Sequence, residues 1–154
     1  MIFRNNDLKN DLNQSWHRPD RAFFAAGACH ILADVFLRRF EGRGFAAKLI
    51  LPAPGLRGTH VFVSDGTTAF DYHGVSLESR LLESFFRKIA RRFPGWQGNI
   101  VPICGSPADA EFCGQYNHRM PHQYLHDPVP RAERFLDRLL VKTPVITIPK
   151  PANL

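Results

Sequence analysis

An Asp65-Gly66 pair stands between two runs rich in β-branched and aromatic residues, residues 59–65 (THVFVSD) and 67–72 (TTAFDY). Asp-Gly supplies the positive φ angles of a tight type I′ turn, so these runs are predicted to pair as an antiparallel hairpin. Side chains alternate across a strand, which sets His60, Phe62 and Ser64 on one face and Val61 and Val63 on the other.

Upstream, Phe23, Phe24, Ile31, Leu32, Val35, Phe36 and Phe40 recur at three- and four-residue intervals, the stripe of an amphipathic helix. Gly27 interrupts it. Either Gly27-Ala28 is a junction that places Cys29 at a helix start, or one helix runs from about Asp20 to Phe40 and holds Cys29 in its middle. Glu41-Gly42-Arg43-Gly44 ends the stripe, and residues 45–51 read as a strand. Pro52-Ala53-Pro54-Gly55 then breaks it into a loop expected to overhang the site. A second amphipathic helix is predicted from about Leu77 to Phe93, capped by Ser76, with Leu81, Leu82, Phe85, Phe86 and Ile89 inward. Residues 99–103 read as a short strand, and those up to Pro130 as irregular. Arg131 to Val141 forms a helix with Pro130 in its first turn, and Val145 to Ile148 a last strand.

With 154 residues, 44% of them apolar, and no repeat or linker, the chain is predicted to form one α+β domain over 1–154. Its antiparallel β-sheet packs against helices, with Phe36, Phe40, Val61, Val63, Leu82 and Phe86 largely buried. No stretch approaches membrane-spanning length, and the polar residues 1–20 do not read as a signal peptide. Cys29, Cys104 and Cys113 form no disulfide pattern, which favours reduced thiols and a cytoplasmic setting, export without a cleavable signal remaining open. The formal charge of +6 is densest at Arg87, Lys88, Arg91 and Arg92. These cations suit the C-terminal end of a helix, and no nucleic-acid-binding motif accompanies them.

The chemistry-bearing residues are Cys29, His60 and Asp71. A thiol at a helix start has its pKa lowered by the local N–H groups, a histidine beside it supplies a base, and a carboxylate behind the imidazole fixes its tautomer. In that reading Cys29 is the nucleophile, His60 the general base and then general acid, and Asp71 the orienting acid. The backbone N–H of Cys29 helps to meet the oxyanion. His73, two residues beyond Asp71, is a second candidate for the third role. Cys29, His60, Asp71 and His73 are also all metal-ligand types, as are His118, His122 and His126, which repeat every fourth residue. No CxxC or HExxH accompanies them, and no cofactor or metal is expected.

The order G-A-C-H-I-L-A-x-x-F-L-R-R-F, G-F-A-A-K-L-I, H-V-F-V and D-G-T-T-A-F-D-Y over Gly27 to Gly74 resembles the core of the transglutaminase-like and papain-like cysteine enzyme superfamily. The resemblance implies acyl transfer through a thioester at Cys29, His60 and Asp71, with water or an amine as acceptor and a protein or peptide-like amide as substrate. Two features depart from the family's pattern. His30 stands where the family usually has an aromatic residue, and Gln14 is the nearest upstream glutamine, with Gln14 or Trp16 as candidates to fold over the site. The alternative is a catalytically inactive module on the same scaffold, offering a basic surface to an acidic partner.

Overall fold

The structure, a computed structural model, describes residues 11–142. It is an α+β fold whose elements are α1 (Leu12–Trp16), α2 (Asp20–Ala25), α3 (Cys29–Arg39), β1 (Ala46–Pro52), β2 (His60–Ser64), β3 (Thr68–Asp71), β4 (Gly74–Leu77), α4 (Glu78–Arg92), β5 (Gly98–Pro102), α5 (Ala110–Tyr116) and α6 (Pro128–Val141). The five strands form one antiparallel sheet in the order β4-β3-β2-β1-β5. The strand expected over 145–148 lies outside the described residues.

The sheet separates two apolar clusters. On one face Ala47, Leu49, Val61, Val63 and Phe70 meet the buried stripe of α3 and the inner residues of α2 and α6. On the other, Ile50, Phe62 and Ala69 meet Leu81, Phe85 and Ile89 of α4. Every residue of β2 is buried, because helices cover it on both sides. Phe36, Val61 and Val63 lie in the core as predicted, whereas Phe40, Leu82 and Phe86 are only half-buried. The inner line of α4 runs Leu81-Phe85-Ile89, one residue per turn, which turns Leu82 and Phe86 to its flank.

The hairpin forms with its turn shifted by one residue. Asp65 N–H donates to Thr68 O at 3.1 Å, so the central residues are Gly66 and Thr67. The positive φ falls on Gly66 (98°), as in a type II′ turn. Asp65 acts from outside the pair, its Oδ1 accepting from the N–H groups of Thr67 and Thr68 at 2.9 and 2.7 Å. Strand β4 was not anticipated. After Asp71 the chain reverses through Tyr72-His73, and Asp71 pairs with Gly74, whose φ of 107° only glycine adopts at ease. Ser76 therefore lies in β4 and does not cap α4. The N-cap is Leu77, without a side-chain bond.

Two further boundaries moved. Helix α6 begins at Pro128, where Asp127 Oδ1 accepts from Val129 N–H at 3.0 Å. Within the stretch read as irregular, Asp109 accepts from Phe112 N–H at 2.8 Å and starts α5, and left-handed Asn117 ends it. Among the described residues no helix is long and apolar enough to cross a membrane.

Candidate active site

Gly27, with φ of 121°, breaks the helical stripe. Helix α2 ends at Ala25, Ala28 is the N-cap of α3, and Cys29 is its first residue. The first bond of the new helix runs from Leu32 N–H to Ala28 O at 3.2 Å. The amides of Cys29, His30 and Ile31 precede it, a group of donors characteristic of helix starts. The Tyr124 hydroxyl donates to Gly27 O and fixes the junction. Of the two sequence readings, two helices with Cys29 at a start is the one realised.

His60 opens β2, and Asp71 closes β3. The register pairs Val63 with Phe70, which sets Asp71 across from Phe62 and leaves His60 one diagonal step away on the same face, within reach of a long side chain. His60 Nε2 donates to Asp71 Oδ2 at 3.0 Å, with both side chains 5% exposed. The other oxygen, Oδ1, accepts from the backbone N–H of His73 at 2.9 Å and from its ring Nδ1 at 3.1 Å. His73 thus lies in the turn and supports Asp71; the partner of His60 is the aspartate. Phe85 of α4 stacks on the His60 ring, with centroids 5.7 Å apart.

The Cys29 thiol lies within interaction range of His60 and groups with His30 and His118, one ligand atom from each of these three lying within 4.8 Å of the others. Burial pushes this thiol's pKa up, but the neighbouring imidazoles of His118, His30 and His60, the last also through its charge, outweigh it and hold the thiol well below its ordinary value. Burial likewise pushes His60 down, and Asp71 with Cys29 more than reverses this, raising it to about 9. Burial pushes Asp71 up, and the bonds from His60 and His73 hold it below the usual carboxylate range. The balance favours a thiolate–imidazolium pair backed by a carboxylate. Cys113 behaves oppositely, burial and Asp109 pushing it up to about 11, and Cys104 is exposed.

Cys29, His60 and Asp71 line a cleft of about 1400 Å³. One wall is residues 56–59, directly after the Pro52–Gly55 loop expected to overhang the site, which itself does not line the cleft. It is pinned by Trp96 Nε1 donating to Arg57 O at 2.7 Å and by Gly58, packed directly on Ile89. A second wall is α4, which presents Arg80, Ser84, Lys88 and Arg92 at four-residue spacing, about 6 Å per step along the axis. The third is 110–123, bringing His118. Asp71, bound by two histidines, is the lining carboxylate.

Neither Gln14 nor Trp16 lines the cleft. Trp16 packs edge-on against Phe23 and His126, with Arg131 of α6 over its ring, and Gln14 is exposed on α1. The histidines at 118, 122 and 126 part company. His118 meets the His30 ring, His122 is exposed in a 3₁₀ turn, and His126 meets Trp16. His30 and His118 are the site residues that sequence reasoning did not single out for the cleft. His30 follows the cysteine directly, but its burial depends on α5 and the segment after it, which carry no periodic signal. Compared with models of protein families, with curated proteins and with solved structures, the chain matches none.

Proposed function

We propose that the chain is a cysteine-dependent acyl-transfer enzyme of the peptidase, amidase, deamidase or transglutaminase type. The observation that carries this is the buried His60 Nε2–Asp71 Oδ2 link at 3.0 Å, with the Cys29 thiol at the start of α3 close enough to the same imidazole for the two to perturb each other. A carboxylate behind the imidazole and a thiol before it is the arrangement that activates a sulfur nucleophile.

In this mechanism the Cys29 thiolate attacks the carbonyl carbon of an amide or ester, and the carbonyl π electrons move to oxygen. The free amides at the α3 start meet that oxyanion. As it collapses, the bond to the leaving group breaks and the His60 imidazolium gives its proton to the departing nitrogen or oxygen. The thioester is then attacked by water or an amine, whose proton returns to His60, and Cys29 leaves as thiolate. Asp71 keeps the His60 tautomer fixed and stabilises the imidazolium in both halves.

The walls favour an extended protein or peptide substrate with acidic residues. Along α4 Lys88 and Arg92 are about 6 Å apart and Arg80 stands about 12 Å before Lys88, close to one and two times the roughly 6.7 Å between alternate side chains of an extended chain. Among the described residues Arg80, Lys88 and Arg92 form no ion pair, which leaves them available to an anionic ligand. A reduced, cytoplasmic setting accords with a nucleophile that must stay unoxidised.

The test is the rate of alkylation by iodoacetamide near neutral pH, followed for each cysteine by mass spectrometry in chelator-containing buffer. Cys29 is expected to react much faster than Cys113, despite its burial, and His60→Ala is expected to slow it. Equal rates at Cys29 and Cys113, or labelling indifferent to His60→Ala, would remove the nucleophile from this reading.

A further inference from the structure

Beside the triad the same sulfur belongs to a second constellation. One ligand atom each from Cys29, His30 and His118 lie within 4.8 Å of one another. The tautomers are set from outside the group. His30 Nε2 donates to Arg119 O at 2.7 Å, which leaves Nδ1 as the lone-pair nitrogen of the neutral ring. That Nδ1 is buried and has no hydrogen-bond partner, on a side chain that is 0% exposed. His118 Nδ1 donates to Tyr116 O at 2.9 Å, which leaves Nε2 free to act as a donor to a metal. Imidazoles that ligate metals commonly give their other N–H to a backbone carbonyl in this way. A buried imidazole nitrogen with no partner is costly unless something occupies its lone pair, and here it stands beside a cysteine sulfur and a second imidazole nitrogen.

We propose that Cys29 Sγ, His30 Nδ1 and His118 Nε2 form a binding site for a zinc-type divalent ion. One thiolate and two imidazoles suit zinc, which takes sulfur at about 2.3 Å and nitrogen at about 2.0–2.1 Å in a tetrahedron. Those bonds place neighbouring ligand atoms about 3.3–3.7 Å apart, so the separations, now within 4.8 Å, shorten by at most about 1.5 Å. The fourth position opens to the cleft and takes water. His60 stays outside this set, since its Nε2 is committed to Asp71. Binding converts the Cys29 sulfur from nucleophile to ligand: its lone pair goes to the ion, and any proton still on the thiol goes to solvent. The ion therefore holds the protein inactive, and its removal by a chelator restores the thiolate. That regulatory consequence rests on the acyl-transfer reading; the metal site itself does not.

Cobalt(II), which takes zinc's place and absorbs light, reads the site directly in the full-length, chelator-treated protein. One equivalent is expected to give a sulfur-to-cobalt charge-transfer band and the visible bands of a four-coordinate ion, both erased by added zinc. Cys29→Ser should lose the charge-transfer band, and His118→Ala should weaken binding at least ten-fold with an unchanged circular dichroism spectrum. Cys104→Ser and Cys113→Ser should alter neither. Because His118 is only half-buried, its variant remains informative even where a change at buried His30 disturbs folding. A charge-transfer band that survives Cys29→Ser, or no saturable cobalt uptake, overturns the proposal. Zinc should also slow alkylation of Cys29 and a chelator restore it. Fast alkylation of Cys29 without metal binding sinks the metal site alone, and metal binding with an unreactive Cys29 in the metal-free protein sinks the acyl-transfer reading alone.

Discussion

Asp71 Oδ1 accepts two bonds from His73, one from its backbone N–H at 2.9 Å and one from its ring at 3.1 Å, while Oδ2 accepts its shorter bond from His60, at 3.0 Å. His60 thus bonds Oδ2 alone, whereas His73 bonds mainly Oδ1 and reaches Oδ2 only at 3.4 Å, and the two histidines have separate jobs. Asp71→Asn is expected to leave the fold intact and to cut turnover by roughly 10³–10⁴-fold, since an amide can present the wrong group to His60 Nε2 and gives the imidazolium no charge support. His73→Ala removes one charge-assisted bond to an acid still fixed by the turn amide, an effect of about ten-fold or less. His73 is a positioning residue, so its loss should shift the pH profile of Cys29 alkylation more than it changes the melting temperature. A defect in His73→Ala as deep as that in Asp71→Asn would transfer the acid's role.

The pH dependence follows from two shifted groups. Cys29 is held well below its ordinary pKa of 9.0, so its thiolate persists to lower pH than that of an ordinary cysteine and is lost as acid protonates it. His60 is raised to about 9 from 6.5, so the imidazolium that partners the thiolate persists through neutrality and is lost above about pH 9. Turnover is expected to be bell-shaped, with the alkaline limb near pH 9 and both limbs belonging to the coupled pair. The contribution of His60 to stability has the same sign. It is fully present below about pH 6.5, its unfolded value, and disappears as pH rises through about 9. Melting scans across pH 6 to 10 check this, and in His60→Gln the alkaline loss should shrink.

How much of this was legible in the sequence depends on the range over which each signal acts. Asp65-Gly66 announced the hairpin because turn chemistry is local, although Thr67 and not Asp65 became its second central residue. Gly27 announced the break before Cys29 for the same reason. The alternation of β2 and the diagonal reach from His60 to Asp71 followed from strand geometry. The pairing of β4 was hidden because Gly74–Leu77 has four residues and reads equally as the entry to α4. His118 was hidden because α5 is seven residues long with Gly114 inside it, and its place beside His30 is set by contacts between residues 89 apart, such as His30 to Arg119 O.

The wall before His60 tests how firmly the cleft is held. A Cβ built on Gly58 would lie 2.1 Å from Ile89 Cδ1, at a φ of +115° that side chains rarely adopt. Gly58→Ala is expected to cost about 1–3 kcal/mol through strain and overpacking together, seen as a lower melting temperature. Ile89→Val shortens the clashing side chain but leaves the backbone strain, so the double variant should recover only part of the loss. Complete recovery would mean that the backbone angle costs nothing.

Lys88 and Arg92 line the cleft beside Arg80, whereas Arg87 and Arg91 are exposed elsewhere on α4. The basic cluster that looks uniform in sequence is therefore divided by the helical period, and the division gives a matched control. Arg80→Glu with Lys88→Glu should slow labelling of Cys29 by an electrophilic peptide bearing alternate acidic residues, and should leave labelling by a neutral peptide of the same length nearly unchanged. Arg87→Glu with Arg91→Glu changes the net charge equally and should affect neither probe by more than a small factor, because exposed charges at that range are screened. The preference for the acidic peptide should also fall with added salt in the unaltered protein. If the two double variants slow the acidic probe alike, the attraction comes from net charge and not from the row along the cleft. If polyphosphate protects Cys29 where the acidic peptide does not, the substrate is a phosphate-bearing acyl donor and the extended-peptide reading is wrong.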